Sequence, residues 1–113
     1  MDIIKKLTDV LTERKNADPS TSYAAKLYSK GIDNVLKKIG EEFTEYVIAV
    51  KEKEKNHVVY EAADLIFHLY VSLIHEGILP MEVYQELERR FGVSGIEEKK
   101  SRTHKWFLRQ KYD

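Results

Sequence analysis

Five carboxylates sit inside two stretches that otherwise read as core helix. In KIGEEFTEYVIAV (residues 38–50), Glu41, Glu42 and Glu45 lie among Ile39, Phe43, Val47 and Val50. In YEAADLIFHLYVSLIH (residues 60–75), Glu61 and Asp64 interrupt a run that is almost wholly apolar. An ionised carboxylate in an apolar interior must be protonated, paired or metal-bound, because leaving it bare costs on the order of tens of kcal/mol in the Born limit. Converging carboxylates also repel one another, and a hard divalent cation removes that repulsion. Mg²⁺ prefers oxygen ligands and keeps several waters, which leaves room for a phosphate oxygen. The acids therefore read as a Mg²⁺ cradle.

Helical periodicity places these groups. On a wheel at about 100° per residue, Ile39, Phe43, Tyr46, Val47 and Val50 make one apolar stripe, with Glu42 and Glu45 together on its flank and Glu41 further round. In the second stretch Glu61, Asp64, His68, Ser72 and His75 form a narrow polar stripe, and apolar residues cover nearly everything else. A helix that is apolar almost all round is expected to be buried. A short turn joins the two helices, so an antiparallel hairpin can bring Glu42 and Glu45 opposite Glu61 and Asp64. The plainer readings are that Glu41 decorates the surface and that Glu61 and Asp64 pair with lysines of a neighbouring helix. For His68 the favoured reading is a hydrogen-bonded core histidine that holds a carboxylate in place.

The punctuation of the chain predicts about five to six helices and no strands. A first helix spans roughly residues 2–15. Ser22 caps a short helix through YAAKLYSK that Gly31 ends. Asp33 is expected to cap the first long helix, which runs to about Lys53, and KEKEKN (51–56) forms its charged end and a turn. The second long helix runs from about His57 to Glu76, closed by Gly77. Pro80 suits the first turn of a further helix ending at Phe91–Gly92, and Ser94 with Glu97 matches a capping box for another.

A chain of 113 residues with 42% hydrophobic content reads as one small domain, residues 1–113. The charged fraction is 34% and the formal net charge is zero, which argues against a nucleic-acid binder driven by bulk charge. There is no cysteine, so neither a disulfide framework nor a thiolate metal site is available. The N-terminus lacks a signal-peptide core, and no apolar run reads as long enough to span a bilayer. A soluble cytoplasmic protein with no membrane partner is the expectation.

The spacing E-E-x-x-E (Glu41, Glu42, Glu45) followed by E-x-x-D (Glu61, Asp64) resembles the metal motif of the all-α nucleoside triphosphate pyrophosphatase superfamily. The flanking segments narrow this. SYAAKLYSKG (22–31), KIGEEFTEYVIA, YEAADLIFHLYV and SGIEEKKSR (94–102) are together similar to the phosphoribosyl-ATP pyrophosphohydrolase family of histidine biosynthesis, over about residues 20–102. Phe67 stands where that family often has Tyr, and Phe43 where it often has a small residue; both are expected to affect packing alone.

The resemblance implies Mg²⁺-dependent cleavage of the α–β phosphoanhydride of phosphoribosyl-ATP to phosphoribosyl-AMP and pyrophosphate. It implies Glu42, Glu45, Glu61 and Asp64 as ligands, with Glu41 on a second ion or orienting the attacking water; which acid is the base stays open. Lys26, Lys30, Lys38 and Arg102 are candidates for substrate phosphates, or solvated surface cations. It also implies an all-α helical bundle whose four-helix core is completed by dimerisation, as a homodimer at minimum. The acid motif alone is equally compatible with a housecleaning (deoxy)nucleoside triphosphate pyrophosphatase. A non-enzymatic helical dimer or regulatory module is a third class.

Overall fold

A computed structural model describes residues 2–91, and these are helical throughout apart from turns. The elements are α1 (Ile3–Arg14), α2 (Tyr23–Lys30), α3 (Ile32–Glu52), α4 (Lys55–His75) and α5 (Pro80–Arg90). The helix expected at Ser94–Glu97 lies outside the described residues, as does the tail. Two compact units divide the chain, one through Pro80 and one from Met81 onward.

Local signals set most helix ends. The Asp2 carboxylate accepts from the Ile4 and Lys5 N–H groups at 3.0 and 3.2 Å and starts α1. The Ser22 hydroxyl accepts from the Ala25 N–H at 3.0 Å and starts α2, as predicted. Gly31, at φ +92°, ends α2 and is at the same time the N-cap of α3. This overturns the predicted cap at Asp33. The break takes one residue, so helix resumes at Ile32 and Asp33 falls in the first turn, where its charge favours the positive end of the helix dipole. The hairpin turn is also tighter than expected: only Lys53 and Glu54 separate α3 from α4, and Lys53 takes the left-handed conformation at φ +60°. At the far end of α4, Gly77 N–H bonds Ile74 C=O at 3.0 Å and Ile78 N–H bonds Leu73 C=O at 2.9 Å, a Schellman closure that needs the positive φ of Gly77.

In the first unit α3 and α4 make the main packing surface, and α1 and α2 cover part of it. The core draws Leu11 from α1, Ala25, Leu27 and Tyr28 from α2, Val35 and Ala49 from α3, and Val71 and Ile74 from α4. Two polar links tie α1 in. The Tyr28 hydroxyl donates to Leu11 C=O at 3.0 Å, and Lys15 Nζ donates to Ile74 C=O at 3.0 Å. The second link satisfies a last-turn carbonyl of α4 with a cation, the favourable sign for that end.

The face turned inward on α3 differs from the one the wheel suggested, and α4 is buried on one side only. On α3 the buried line is Val35, half-buried Glu42 and Ala49, while the apolar stripe of Phe43, Val47 and Val50 is exposed, together with Leu36. On α4 the inward face carries Glu61, His68 and Val71, and Val59, Ile66 and Leu69 are exposed. The single chain thus turns Glu61 and, in part, Glu42 and Asp64 inward, keeps Glu41 and Glu45 exposed, and leaves an apolar stripe of each hairpin helix uncovered. Contrary to the sequence expectation, α4 is also long and apolar enough to cross a membrane by length and composition alone, a test that core helices of soluble proteins pass too. The second unit contributes most of α5. Pro80 opens that helix, and Glu86 pairs with Arg89 at 2.8 Å and with Arg90 at 3.1 Å.

Candidate functional site

The hairpin brings α3 and α4 acids together, but as two overlapping triads rather than one cluster of four. Ligand-capable oxygens of Glu42, Glu61 and Asp64 lie within 4.8 Å of one another. Glu45 meets Glu61 and His57 within the same limit. Glu61 belongs to both and is only 7% exposed. Its Oε2 is 3.2 Å from His57 Nε2, and its Oε1 is buried with no hydrogen-bond partner among the described residues. Among the described residues no lysine or arginine pairs with Glu42, Glu61 or Asp64. The salt-bridge reading of Glu61 and Asp64 therefore finds no support among these residues.

This environment disfavours a negative charge on Glu42. Burial first, then the neighbouring Glu61 carboxyl and the charge of Asp64, push its carboxyl from the ordinary 4.5 up to about 7. A neutral carboxyl escapes both the burial cost and the repulsion, so Glu42 holds a proton here that it would give up in water. The folded state thus holds this proton more tightly than the unfolded chain, so stability is full below the ordinary glutamate range and declines as pH rises through about 7. In EDTA the melting temperature is expected to fall between about pH 5 and about pH 8, and excess Mg²⁺ should restore it at the upper end. Melting curves of wild type and Glu42→Gln check this: the variant should lose most of the slope, and an equally steep slope would exclude Glu42 as its source.

The donor set suits a hard cation. The first triad is all oxygen, and among the described residues it contains a buried oxygen without a hydrogen-bond partner and meets no lysine or arginine. These residues could hold a metal ion where a proton otherwise sits.

His68 is a buried, hydrogen-bonded histidine, as expected, but it does not hold a carboxylate. Its Nδ1 lies 2.8 Å from the Asp64 backbone carbonyl, one turn earlier in α4, and its Nε2 lies 2.9 Å from the Tyr23 hydroxyl. A carbonyl only accepts, so Nδ1 donates to it and Nε2 is left to accept from Tyr23. The reason is local: a residue four positions on reaches back to the carbonyl of its own helix. Burial, then the charges of Glu42, Asp64 and Glu41, raise the Tyr23 hydroxyl above its ordinary pKa, which keeps it a donor. Phe67 stacks on Tyr23 at 6.1 Å and meets His68 edge-on at 5.3 Å, so it serves packing as expected.

The remaining candidates lie outside the triads. Glu41 is exposed and sits 3.8 Å from Lys38 Nζ. Lys26 and Lys30 are exposed on α2. Arg102 lies outside the described residues. His57 and Tyr23 are the two site neighbours that sequence reasoning missed. His57 carried a usable signal, since it precedes Glu61 by four residues and so shares its helix face. Tyr23 carried none, because its partner lies 45 positions away.

Fold and site together define an all-helical protein whose central hairpin gathers an acid set that could hold a metal ion. The family model described as phosphoribosyl-ATP pyrophosphohydrolase matches residues 4–91, running through all five helices. Proteins named phosphoribosyl-ATP pyrophosphatase are similar over nearly their full length. That of Methylococcus capsulatus is 55% identical, covering 90% of this chain and 97% of the relative. That of Geobacter sulfurreducens is 52% identical over 89% and 94%, and that of Geobacter metallireducens 54% over 89% and 93%. The chain belongs to the phosphoribosyl-ATP pyrophosphohydrolase family.

Proposed function

We propose that this protein hydrolyses the α–β phosphoanhydride of phosphoribosyl-ATP to phosphoribosyl-AMP and pyrophosphate, the second step of histidine biosynthesis, with Mg²⁺ as cofactor. One observation carries the reading: in a chain of this family, Glu42, Glu61 and Asp64 converge around a buried carboxylate oxygen that has no hydrogen-bond partner among the described residues. Glu42, Glu61 and Asp64, with Glu45 alongside, would hold the cation. Mg²⁺, when bound, supplies charge neutralisation for the triphosphate and polarises its phosphoryl oxygens. Glu41 and Glu45 are exposed, so either can accept a proton from the attacking water and orient it. The exposed lysines Lys26 and Lys30, half-buried Lys38, and Arg102 are the groups we assign to the substrate's phosphates.

The working unit we propose is a homodimer in the cytoplasm, free of nucleic-acid and membrane partners. Leu36, Gly40, Phe43, Val47 and Val50 repeat at alternating four- and three-residue steps along α3, the spacing that seats one helix against others in a bundle. A second copy laid on this stripe and on Val59, Ile66 and Leu69 would complete a four-helix core.

The test is pyrophosphate release from phosphoribosyl-ATP and from a panel of nucleoside triphosphates, with Mg²⁺ or with EDTA. Strong preference for phosphoribosyl-ATP, lost in EDTA, is expected. Equal turnover of the other triphosphates would favour a housecleaning enzyme, and no release from any would favour a binding module.

A further inference from the structure

Tyr23 is anchored more firmly than an exposed aromatic residue needs to be. It opens α2, where Ser22 caps the helix, and 50% of it remains exposed. Its hydroxyl lies 2.9 Å from Nε2 of buried His68, whose Nδ1 lies 2.8 Å from the Asp64 carbonyl. Phe67 stacks on the ring at 6.1 Å with 25° between the planes, and His68 meets it edge-on at 5.8 Å. A single imidazole therefore separates the Tyr23 hydroxyl from the backbone of Asp64, which places the ring beside the first triad. The hydroxyl proton is engaged by His68, so the ring is what Tyr23 offers to a ligand. An aromatic surface held in one orientation is the property that a stacking partner requires.

We propose that the exposed part of the Tyr23 ring is the platform on which the substrate's purine stacks, and that His68 is the positioning residue that holds it there. The proposal deepens the reading above and rests on it for the identity of the purine. Any base can stack on an aromatic face. The purine of phosphoribosyl-ATP differs from others because its N1 carries the phosphoribosyl group. Substitution at N1 raises the basicity of adenine, so this base carries a positive charge near neutral pH, whereas the adenine of ATP is neutral. A cation over a tyrosine ring is held by the ring's quadrupole as well as by stacking. The platform therefore contributes to the choice of phosphoribosyl-ATP over ordinary triphosphates.

Binding of AMP, N1-methyl-AMP and phosphoribosyl-AMP to the full-length protein in Mg²⁺ tests this without turnover. N1-methyl-AMP has the cationic purine but no second phosphate. Calorimetry should show it binding wild type several-fold more tightly than AMP. Both it and phosphoribosyl-AMP should lose about 10-fold in affinity in Tyr23→Leu. Tyr23→Phe keeps the ring and should lose less. His68→Leu removes the acceptor and should fall in between, while His68→Gln, whose amide oxygen can accept from Tyr23, should recover most of that loss. Saturating N1-methyl-AMP should also move the Tyr23 ring-proton resonances upfield; these are the tyrosine signals missing from Tyr23→Phe. With phosphoribosyl-ATP, the Tyr23→Leu loss should fall on KM rather than kcat. Melting and sedimentation verify that each variant is folded and assembled as wild type. Unchanged affinity in folded Tyr23→Leu, or Tyr23 resonances unmoved at saturation, would overturn the proposal. So would a loss in Tyr23→Leu that accompanies a change in mass, because the ring would then belong to an interface between copies. Equal affinity of wild type for AMP and N1-methyl-AMP would overturn the preference for a cationic purine. Absence of pyrophosphate release from phosphoribosyl-ATP, with Tyr23-dependent binding intact, would instead count against the proposed activity and leave the platform standing.

Discussion

Asp64→Asn should all but eliminate turnover while leaving the metal-free protein as stable as wild type or firmer. The two halves of this expectation have one cause. Asp64 faces Glu42 and Glu61, with no lysine or arginine among the described residues to balance them. Removing its charge relieves repulsion when no metal is present. The amide keeps one oxygen but is a much poorer partner for a hard cation, so charge stabilisation at the reacting phosphate is lost. Loss of a comparable electrostatic group in other enzymes lowers kcat by about 10²–10³-fold, which sets the scale expected here. The backbone carbonyl of Asp64, which accepts from His68, is untouched by the change. Were Asp64 a buried salt-bridge partner, the same substitution would strand a charge and cost about 3–5 kcal/mol. Melting in EDTA and in excess Mg²⁺, run beside pyrophosphate release, distinguishes the two. A variant that melts well below wild type in EDTA yet keeps Mg²⁺-dependent activity would remove Asp64 from the ligand set.

Ile66→Glu should have an effect of similar size on assembly. In the single chain Ile66 is 46% exposed, and at such a position an added charge is ordinarily worth within about 0.5 kcal/mol. Buried against a second copy, the same glutamate is an unpaired charge in an apolar interface, repeated by symmetry on both chains. Wild type is expected to sediment at low micromolar concentration at twice the chain mass or a multiple of it. The variant should sediment as a monomer or lose its cooperative melt. Val47→Asp, on α3, should behave the same way. A wild-type monomer, or an Ile66→Glu protein with unchanged mass and melting, would refute a shared core. The Glu42 melting profile is the internal reference, because it reads the acid site and not this face.

The sequence by itself determined the helices and the chemistry along each. Ser22, Gly31, Gly77 and Pro80 act on the few residues beside them, so caps, breaks and starts were legible without the fold. The pairing of Glu61 with Asp64 was legible for the same reason, since one helical turn fixes which neighbours share a face, whereas Glu42 and Glu45, expected together, fall into different triads. Gly31 marks where this reasoning stops being sharp. Its single-residue break allowed α3 to resume at Ile32, and Asp33 lost the capping role that its residue type suggested.

Tertiary structure alone decided which faces turn inward. Hydrophobic periodicity marks an arc that must leave water but does not say what covers it. Phe43, Val47 and Val50 made the most apolar arc of α3, yet α1, α2 and α4 of the same chain cover Val35 and Ala49 instead. On α4, where burial almost all round was expected, the same choice left Val59 and Ile66 outside, while Glu61 and His68 lie inside as the sequence suggested. Contacts between elements were equally unreadable. Tyr23 reaches His68 across 45 positions, and Glu45 meets His57 only because a two-residue turn folds α4 back along α3. The division follows from range: backbone geometry fixes what lies within a turn of helix, whereas the packing of whole helices is a sum over many distant contacts that no short stretch contains.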